Sequence, residues 1–152
     1  LRDWLIHLAG QLSGQSFETL ILGKEEGRKF HFPVMAPEQA KKHFEAILGR
    51  WMDATTRALP IHCEAGFAWI TSFYGGKKHV GDHERAISEA EQAYTTALER
   101  DTGYLRGAFE SPEVLRASGE FEALLHQLYV PLWEAEQGKS AAEQVGYQEE
   151  QA

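Results

Sequence analysis

The sequence predicts a mixed α/β fold of the α+β type, with a small sheet formed by a β-hairpin and packed by several helices. Most of the chain repeats apolar residues at spacings of three and four, which is typical of helices with one buried face. Residues 17–34 instead alternate apolar and polar side chains around a glycine-bounded turn. No helical segment is apolar on all sides, so each helix is expected to bury one face against a common layer.

The first 34 residues are expected to form a helix followed by the hairpin. The helix ends near Ser13 and Gly14, and its apolar stripe consists of Leu1, Trp4, Leu5, Leu8 and Leu12. Residues 17–22 and 28–34 are predicted to be the two strands. Because Pro33 has no backbone N–H, we expect the second strand to end there or to lie at the sheet edge.

Three longer helices are predicted near residues 37–56, 83–99 and 120–133. The first of them begins with Pro37 at a favoured helix-start position and Glu38 in the first turn. The intervening segments are predicted to be a short helix, a structured loop and a helical turn, at residues 67–74, 101–111 and 113–117. Side chains from the first and third long helices are expected in the core: Phe44, Trp51, Leu124, Leu125 and Leu128.

Length and charge limit the number of domains and the kinds of binding surface that the chain can have. The 152 residues are enough for one globular domain, which we place at residues 1–133. Residues 134–152 hold five acidic residues and one lysine and are expected to form a frayed acidic tail. The net charge of -8 and the pI of about 5.3 argue against a surface that binds nucleic acid wholly by counterion release, although a local basic patch remains compatible with them.

The composition also predicts where the protein works. No stretch reaches the roughly 18 to 20 consecutive apolar residues of a membrane-spanning helix, and the N-terminus lacks a signal-peptide pattern. A lone cysteine, Cys63, cannot form an internal disulfide, which fits a reducing compartment. We therefore expect a cytoplasmic protein with no membrane partner. Because Leu1 already lies within the apolar stripe and is not a methionine, the sequence is expected to be a piece of a longer protein.

The most basic short window of the chain is the first candidate for a contact with DNA or with a partner. Lys77, Lys78 and Arg85 could touch a phosphate backbone or an acidic protein surface. Tyr104 beside Arg106 is a weaker candidate, since an exposed ring can stack on an unpaired base. Solvated lysines next to a glycine turn, and an aromatic residue in a packed loop, are the alternative interpretations.

A metal site is the second candidate. His79 and His83 are four residues apart with Asp82 between them, a spacing that can place two imidazoles on one helix face. Gly81 weakens a helix at this point, and no glutamate occupies the general-base position of a zinc protease. An exposed polar loop is the plainer interpretation, so no metal and no cofactor is predicted. A small stand-alone metal-dependent hydrolase built on these three residues is the alternative function.

No catalytic residue is predicted elsewhere. His62 and Cys63 are adjacent, and adjacent side chains rarely point at one another, so Cys63 is expected to be a small packing residue. Restriction-type nucleases need carboxylates and a lysine on a strand to hold a metal and activate water, and the nearest fragment, residues 25–29, lies in the predicted turn. No phosphate-binding glycine loop is present. A generic helical adaptor is a further alternative.

The order of several segments carries more information than any one of them. The relevant segments are the Trp-bearing helix 1–8, the hairpin, the proline-led helix 37–51, residues 58–61 running into 66–69, residues 101–109 with Tyr104, Arg106 and Phe109, and residues 121–132. In this order the chain resembles the C-terminal domain of the gamma subunit of exodeoxyribonuclease V, the RecC chain of the RecBCD helicase-nuclease. Cys63, Glu64 and Tyr94 depart from the family pattern, which indicates a diverged member.

The resemblance implies a fold, partners and a function. It implies a degenerate restriction-endonuclease-like fold, similar to the RecB nuclease domain, that has lost its catalytic residues. It also implies RecB-like beta and RecD-like alpha subunits as partners, with DNA reached through the parent complex, an ATP-dependent helicase-nuclease. That complex resects double-strand breaks for recombinational repair and recognises Chi. The expected function is thus a non-catalytic structural and DNA-handling domain, which neither hydrolyses DNA nor uses ATP by itself.

Overall fold

The computed structural model describes residues 1–22, 29–75, 81–101 and 103–137. This part of the chain is mostly helical; its helices are α1 (Arg2–Leu12), α2 (Pro37–Ala54), α3 (Cys63–Tyr74), α4 (His83–Arg100), α5 (Tyr104–Ala108), α6 (Pro112–Arg116), α7 (Glu120–Leu128) and α8 (Val130–Gln137). Strands β1 (Thr19–Leu22) and β2 (Lys29–Phe32) form one antiparallel pair. The prediction of a mixed fold with helices and a small hairpin sheet is confirmed. No helix in the described ranges is long and apolar enough to cross a bilayer.

Three helix starts follow from local chemistry. Ala36 is extended, and Pro37 occupies the first turn of α2, where its missing N–H is not needed. The Asp82 carboxylate accepts the backbone N–H of Arg85 at 3.0 Å and so caps α4. Ser111 caps α6 by accepting the N–H of Val114 at 3.3 Å. These short-range contacts explain why the predicted boundaries and the observed ones agree closely here.

The segment predicted as one helix over 120–133 is two helices in the structure. α7 ends at Leu128, and α8 begins at Val130 after the single residue Tyr129. Pro131 accounts for the break, because a proline has no N–H to donate to a carbonyl one turn earlier and its ring crowds that turn. α8 runs to Gln137, and the remainder of the predicted acidic tail, residues 138–152, lies outside the described residues.

A short helix also occupies the segment predicted as a structured loop. α5 is held at its start by the Asp101 carboxylate, which accepts the backbone N–H of Gly103 at 2.8 Å and that of Leu105 at 2.9 Å. Gly103 adopts a φ of 116°, a value that favours glycine over residues with a side chain. The sequence signal was therefore present in the Asp101 to Gly103 spacing, which is typical of side-chain-capped turns.

The core lies mainly between helices and not on the sheet. α3 packs along α4, α2 packs on α1 and α7, and α8 packs on both α7 and β2. The predicted core residues of α7 are all buried, as Leu124, Leu125 and Leu128 have exposures of 3%, 0% and 7%. The expectation of a sheet that serves as the common layer for every helix is therefore wrong: the helices bury their stripes chiefly against one another, because a two-stranded sheet has too little area to cover them.

A buried histidine fastens α1 to the hairpin. His7 is fully buried, and its Nδ1 lies 2.9 Å from the hydroxyl of Thr19 in β1. Its ring stacks on Trp4 with the ring centres 5.6 Å apart, makes an edge contact with Phe17 and lies tilted against Phe32. Burial is the largest cause that lowers the pKa of His7 below its ordinary value of 6.5. The imidazole is therefore neutral at neutral pH and acts as a packing group.

Candidate docking surface

One face of α2 carries large apolar side chains that the described part of the chain leaves exposed. Leu48, Trp51 and Met52 have relative exposures of 44%, 64% and 60%. They share a stripe with the partly buried Phe44, because helix positions three and four apart lie on the same face. The prediction that Trp51 belongs to the core is therefore wrong, whereas Phe44 does pack against it.

The cause of the exposure is the length and width of the apolar arc on α2. Ala40 and Ile47 form its buried side. Leu48 lies about 100° around the helix from Ile47, at the margin of the covered side. Trp51 lies one turn beyond Ile47, on nearly the same side of the helix and close to its end. Ile47 is buried there, whereas Trp51 is exposed, so the elements that bury Ile47 do not extend to Trp51. Periodicity identified the residues that share a face, but it does not show whether another element covers them.

The exposed stripe lies on a helix that is fixed to its neighbours. Arg50 of α2 donates from Nε to the Gln127 side chain of α7 at 2.7 Å and from Nη1 to Asp53 at 2.8 Å. Just after α2, Arg57 donates two hydrogen bonds to the Glu120 carboxylate, at 2.6 and 3.1 Å. This contact lowers the pKa of Glu120 and raises the pKa of Arg57. The stripe is thus presented on a positioned element.

The hairpin carries a second exposed apolar surface. The strand register pairs Leu20 with His31 and Ile21 with Phe30. Because paired residues share a face and successive residues alternate, Leu20 and Leu22 lie on the face opposite to Ile21. Their exposures are 58% and 69%, whereas Ile21 is partly buried against the core. The outer face of β1 is therefore apolar and open.

The predicted basic window is described only in part. Lys77 and Lys78 lie outside the described residues. Arg85 lies in the first turn of α4 with an exposed side chain, and its backbone N–H donates to the Asp82 cap. Among the described residues its guanidinium has no ion pair. Arg85 is accordingly available for a contact, while the two lysines stay predictions.

The histidine pair considered as a metal site has a different arrangement. His83 Nε2 lies 2.8 Å from a carboxylate oxygen of Glu122 in α7, and Asp82 caps α4. His79 lies outside the described residues. Within the described ranges, no three histidine, cysteine or acidic side chains are arranged to hold a metal ion. The described residues therefore give Asp82 and His83 structural partners.

The cysteine does not have the environment expected from the sequence. Cys63 is exposed at the first position of α3, so its interpretation as a small packing residue is wrong. His62 precedes the helix, its ring meets the edge of Tyr94 with centres 5.4 Å apart, and burial is the largest cause that lowers its pKa. No hydrogen bond joins His62 to Cys63 in the described chain, so the structure does not bring these two side chains together.

Two acidic residues of the helical body form ion pairs between helices. Glu64 pairs with Arg100, and Glu91 pairs with Arg116, so that α3 is joined to α4 and α4 to α6.

Two further sequence candidates are described only in part. Residues 25–28 of the fragment that was compared with a nuclease motif lie outside the described residues, as does the side chain of Tyr104. Arg106 donates to the backbone carbonyl of Leu98 at 3.4 Å.

The part of the chain that carries the exposed apolar surfaces matches a known protein family. Residues 1–74 match the family model of the RecC C-terminal domain. This confirms the resemblance inferred from the sequence for this part of the chain, which carries both the hairpin and the α2 stripe. No curated protein matches the chain. The family is that of the gamma subunit of exodeoxyribonuclease V, a multi-subunit complex of DNA repair and recombination.

Proposed function

We propose, on the premise that residues 1–74 are RecC C-terminal domain sequence, that the chain is a non-catalytic structural domain of an exodeoxyribonuclease V gamma subunit. It docks RecB-like beta and RecD-like alpha subunits in the cytoplasm and reaches DNA through their complex. That complex unwinds and resects double-strand breaks and recognises Chi. The observation that carries the proposal is that the family match and the exposed apolar surface fall within the same residues.

The chemistry of the α2 stripe favours a protein as its partner. Leu48, Trp51 and Met52 lie within two helical turns, and exposed apolar clusters of this kind mark interaction sites. Aromatic residues and methionine are enriched at the centres of protein interfaces, where a few large side chains supply most of the binding energy. A partner that covers these three side chains would remove their apolar surface from water.

The charges near the stripe do not favour a phosphate backbone. Lys41 of α2 lies 3.8 Å from Glu45 in an ion pair, so its charge is partly compensated. Arg50 is likewise engaged by Asp53. With a net charge of -8 the chain would neutralise few phosphates, and the salt dependence of any DNA binding would be small. DNA handling is therefore assigned to the assembled complex.

We further infer, from the resemblance to the RecC C-terminal domain family, a degenerate nuclease fold that has lost its catalytic residues. The sequence agrees with that loss, because it lacks the ordered acids and lysine that hold a catalytic metal on a strand. The purified chain should leave linear duplex DNA intact with Mg²⁺ and should not hydrolyse ATP. Magnesium-dependent cleavage that follows the chain through purification and disappears on Glu25→Ala or Glu26→Ala would overturn this part of the proposal.

The docking proposal is tested by co-purification. The protein that carries this chain is co-expressed with the beta and alpha subunits, either unchanged or with Trp51→Lys and Met52→Lys together. We expect the double variant to recover much less of the other subunits and to lose ATP-dependent exonuclease activity in proportion. Val114→Lys, at an exposed apolar position of α6, is the matched control and should leave assembly intact. Equal recovery with the double variant would contradict the assignment of the stripe.

The basic window requires its own test. Replacing Lys77, Lys78 and Arg85 together by alanine should weaken subunit assembly or strand feeding while leaving the chain folded, because these cations are candidates for contacts with acidic surfaces or phosphates. Far-UV circular dichroism checks the fold, and unwinding and Chi response are measured on the whole complex. A triple variant that assembles, unwinds DNA and responds to Chi normally would show that the window is solvated surface.

A further inference from the structure

β1 is an edge strand with unused hydrogen-bonding capacity. In the described part of the chain the sheet has two strands, and β1 pairs with β2 on one side. In an antiparallel pair about half of a strand's backbone N–H and C=O groups point toward its partner, and the others point to the opposite edge. No backbone hydrogen bond to another described segment satisfies this outer edge of β1.

The two edges of the sheet differ in how they are protected. β1 consists of Thr19, Leu20, Ile21 and Leu22, without a charge or a proline. β2 is followed by Pro33 and is in contact with α8. Proline is one of the devices by which proteins prevent edge strands from pairing with other chains. β1 has neither a proline nor a charged residue among its four residues, so within the described residues β1 is the edge more open to pairing.

The side chains of β1 restrict what can lie beside it. Leu20 and Leu22 are exposed on the outer face of the hairpin, next to each other along the strand. The strand register places His31 and Lys29 across from Leu20 and Leu22, and Glu18 lies 3.3 Å from His31. A helix satisfies its own backbone groups and would leave those of the β1 edge unpaired. An extended strand supplies both the missing hydrogen bonds and apolar side chains on alternate positions.

We propose that the free edge of β1 binds an extended strand of another polypeptide, with apolar residues at every second position that pack beside Leu20 and Leu22. The assignment of that strand to another subunit of the same complex rests on the proposed function, whereas the strand-binding edge itself does not. A second copy of this chain is the less favoured occupant, because two chains of net charge -8 repel one another. A third strand would also stabilise the sheet, since two-stranded sheets are marginal alone.

The edge is tested with a synthetic probe, an acetylated and amidated hexapeptide of alternating threonine and valine. We expect backbone amide shifts in the NMR spectrum of the chain to concentrate at Thr19–Leu22, with slower hydrogen exchange at those amides. Leu20→Lys with Leu22→Lys should weaken binding by about tenfold, because two apolar cross-strand contacts are replaced by charges. Ile6→Lys with Val114→Lys adds the same charge at exposed apolar sites elsewhere and should leave binding unchanged.

A second peptide separates backbone pairing from simple apolar adhesion. The same hexapeptide, N-methylated at alternate residues on its pairing edge, keeps its side chains but cannot donate hydrogen bonds there. We expect it not to bind. Equal binding of both peptides, shifts located away from β1, or no binding of the unmodified peptide would overturn the proposal. Self-association of the chain that is lost with the lysine pair would overturn the choice of a foreign strand and assign the edge to a second copy.

The complex distinguishes this inference from the proposed function. If the protein carrying the chain co-purifies with the beta and alpha subunits, and Leu20→Lys with Leu22→Lys lowers that recovery, the strand belongs to another subunit. If recovery of the subunits is unchanged while the peptide still binds, the edge is real but its assignment to the complex is wrong. If the unchanged protein recovers no subunits, the proposed function fails, and the peptide result stands by itself.

Discussion

Residues 1–74 and residues 81–137 differ in how many of their large apolar side chains are exposed. Nearly all of the large apolar side chains that are exposed in the described chain belong to the first region; Val114 is the exception. In the second region α4 and α7 bury their stripes, and Tyr94, Leu125 and Phe121 are at most 2% exposed. The first region also coincides with the match to the RecC C-terminal domain.

The charges show the same contrast. The second region supplies a partner to polar contacts that join different helices: the ion pairs of Arg100 with Glu64 and of Arg116 with Glu91, and the hydrogen bond between His83 and Glu122. Within the first region, Lys41 pairs with Glu45 one turn away in α2, and Glu18 lies 3.3 Å from His31 of β2, so neither contact joins two helices. The second region thus buries its apolar stripes and is joined to the first by packing and polar contacts, whereas the first exposes more of its apolar surface. We infer that folding and docking are divided between the two regions.

The largest effect on stability should come from the buried side of this comparison. Leu125→Ala removes a fully buried side chain between α3 and α7 and should lower the free energy of unfolding by about 2–5 kcal/mol. Trp51→Ala removes a larger but exposed side chain and should change it by less than about 0.5 kcal/mol. Urea denaturation followed by circular dichroism measures both. A cost for Trp51→Ala comparable to that for Leu125→Ala would show that the stripe on α2 is core.

Two helical glycines sharpen the same contrast with smaller effects. A Cβ added to Gly66 of α3 would lie 2.6 Å from Leu125 Cδ2, so Gly66→Ala should destabilise the chain by about 1–3 kcal/mol. A Cβ on Gly49 of α2 would meet no atom within 4 Å, so Gly49→Ala should stabilise the chain by about 0.5–1 kcal/mol through helix propensity. If both substitutions stabilised the chain, the close packing of α3 on α7 would be wrong.

How far the sequence predicted the structure depends on the range of the interactions. The start of α2 was predicted from Pro37, which acts within one turn, and α4 was predicted from its apolar stripe, whereas the Asp82 cap was not predicted. The register of the apolar stripe correctly placed Leu125 in the core. The exposure of Trp51 was missed because cover is a tertiary property, and periodicity does not report it. The pairing of Arg57 with Glu120 was likewise outside the reach of local patterns, since the two residues are far apart in the sequence.

The candidate docking surface on α2 was predicted only in part, for the same reason. Apolar residues on α2 were recognised, but they were assigned to the core, so the docking stripe was not predicted. A usable signal existed, because the arc from Ala40 and Ile47 through Leu48 to Met52 is wider than one neighbouring helix covers. The break between α7 and α8 also had a local signal in Pro131 that the periodic leucines obscured.

A pH effect, expected to be smaller, should come from the contact between α1 and the hairpin. The pKa of His7 is lowered in the folded chain by burial, so the unfolded chain binds the proton more readily. The contribution to stability is complete above the unfolded value of about 6.5 and falls as the pH is lowered from there through the folded pKa. His7→Phe keeps a ring in the pocket and should reduce the loss of stability in this window.

The prediction for His7→Phe is checked against the unchanged chain. Urea midpoints at several pH values between 7.5 and 5 give the comparison. A steeper loss of stability in His7→Phe than in the unchanged chain would show that His7 is not the buried neutral group described above.

Hydrogen exchange of the chain, free and within the complex, tests the division between docking and support most directly. The protein carrying the chain is exchanged alone and after assembly with the beta and alpha subunits, and the peptides of the two regions are compared by mass spectrometry. The account predicts slower exchange on assembly in β1 and the second half of α2, with α4 and α7 unchanged. Protection confined to residues 81–137, with β1 and α2 unaffected, would contradict it.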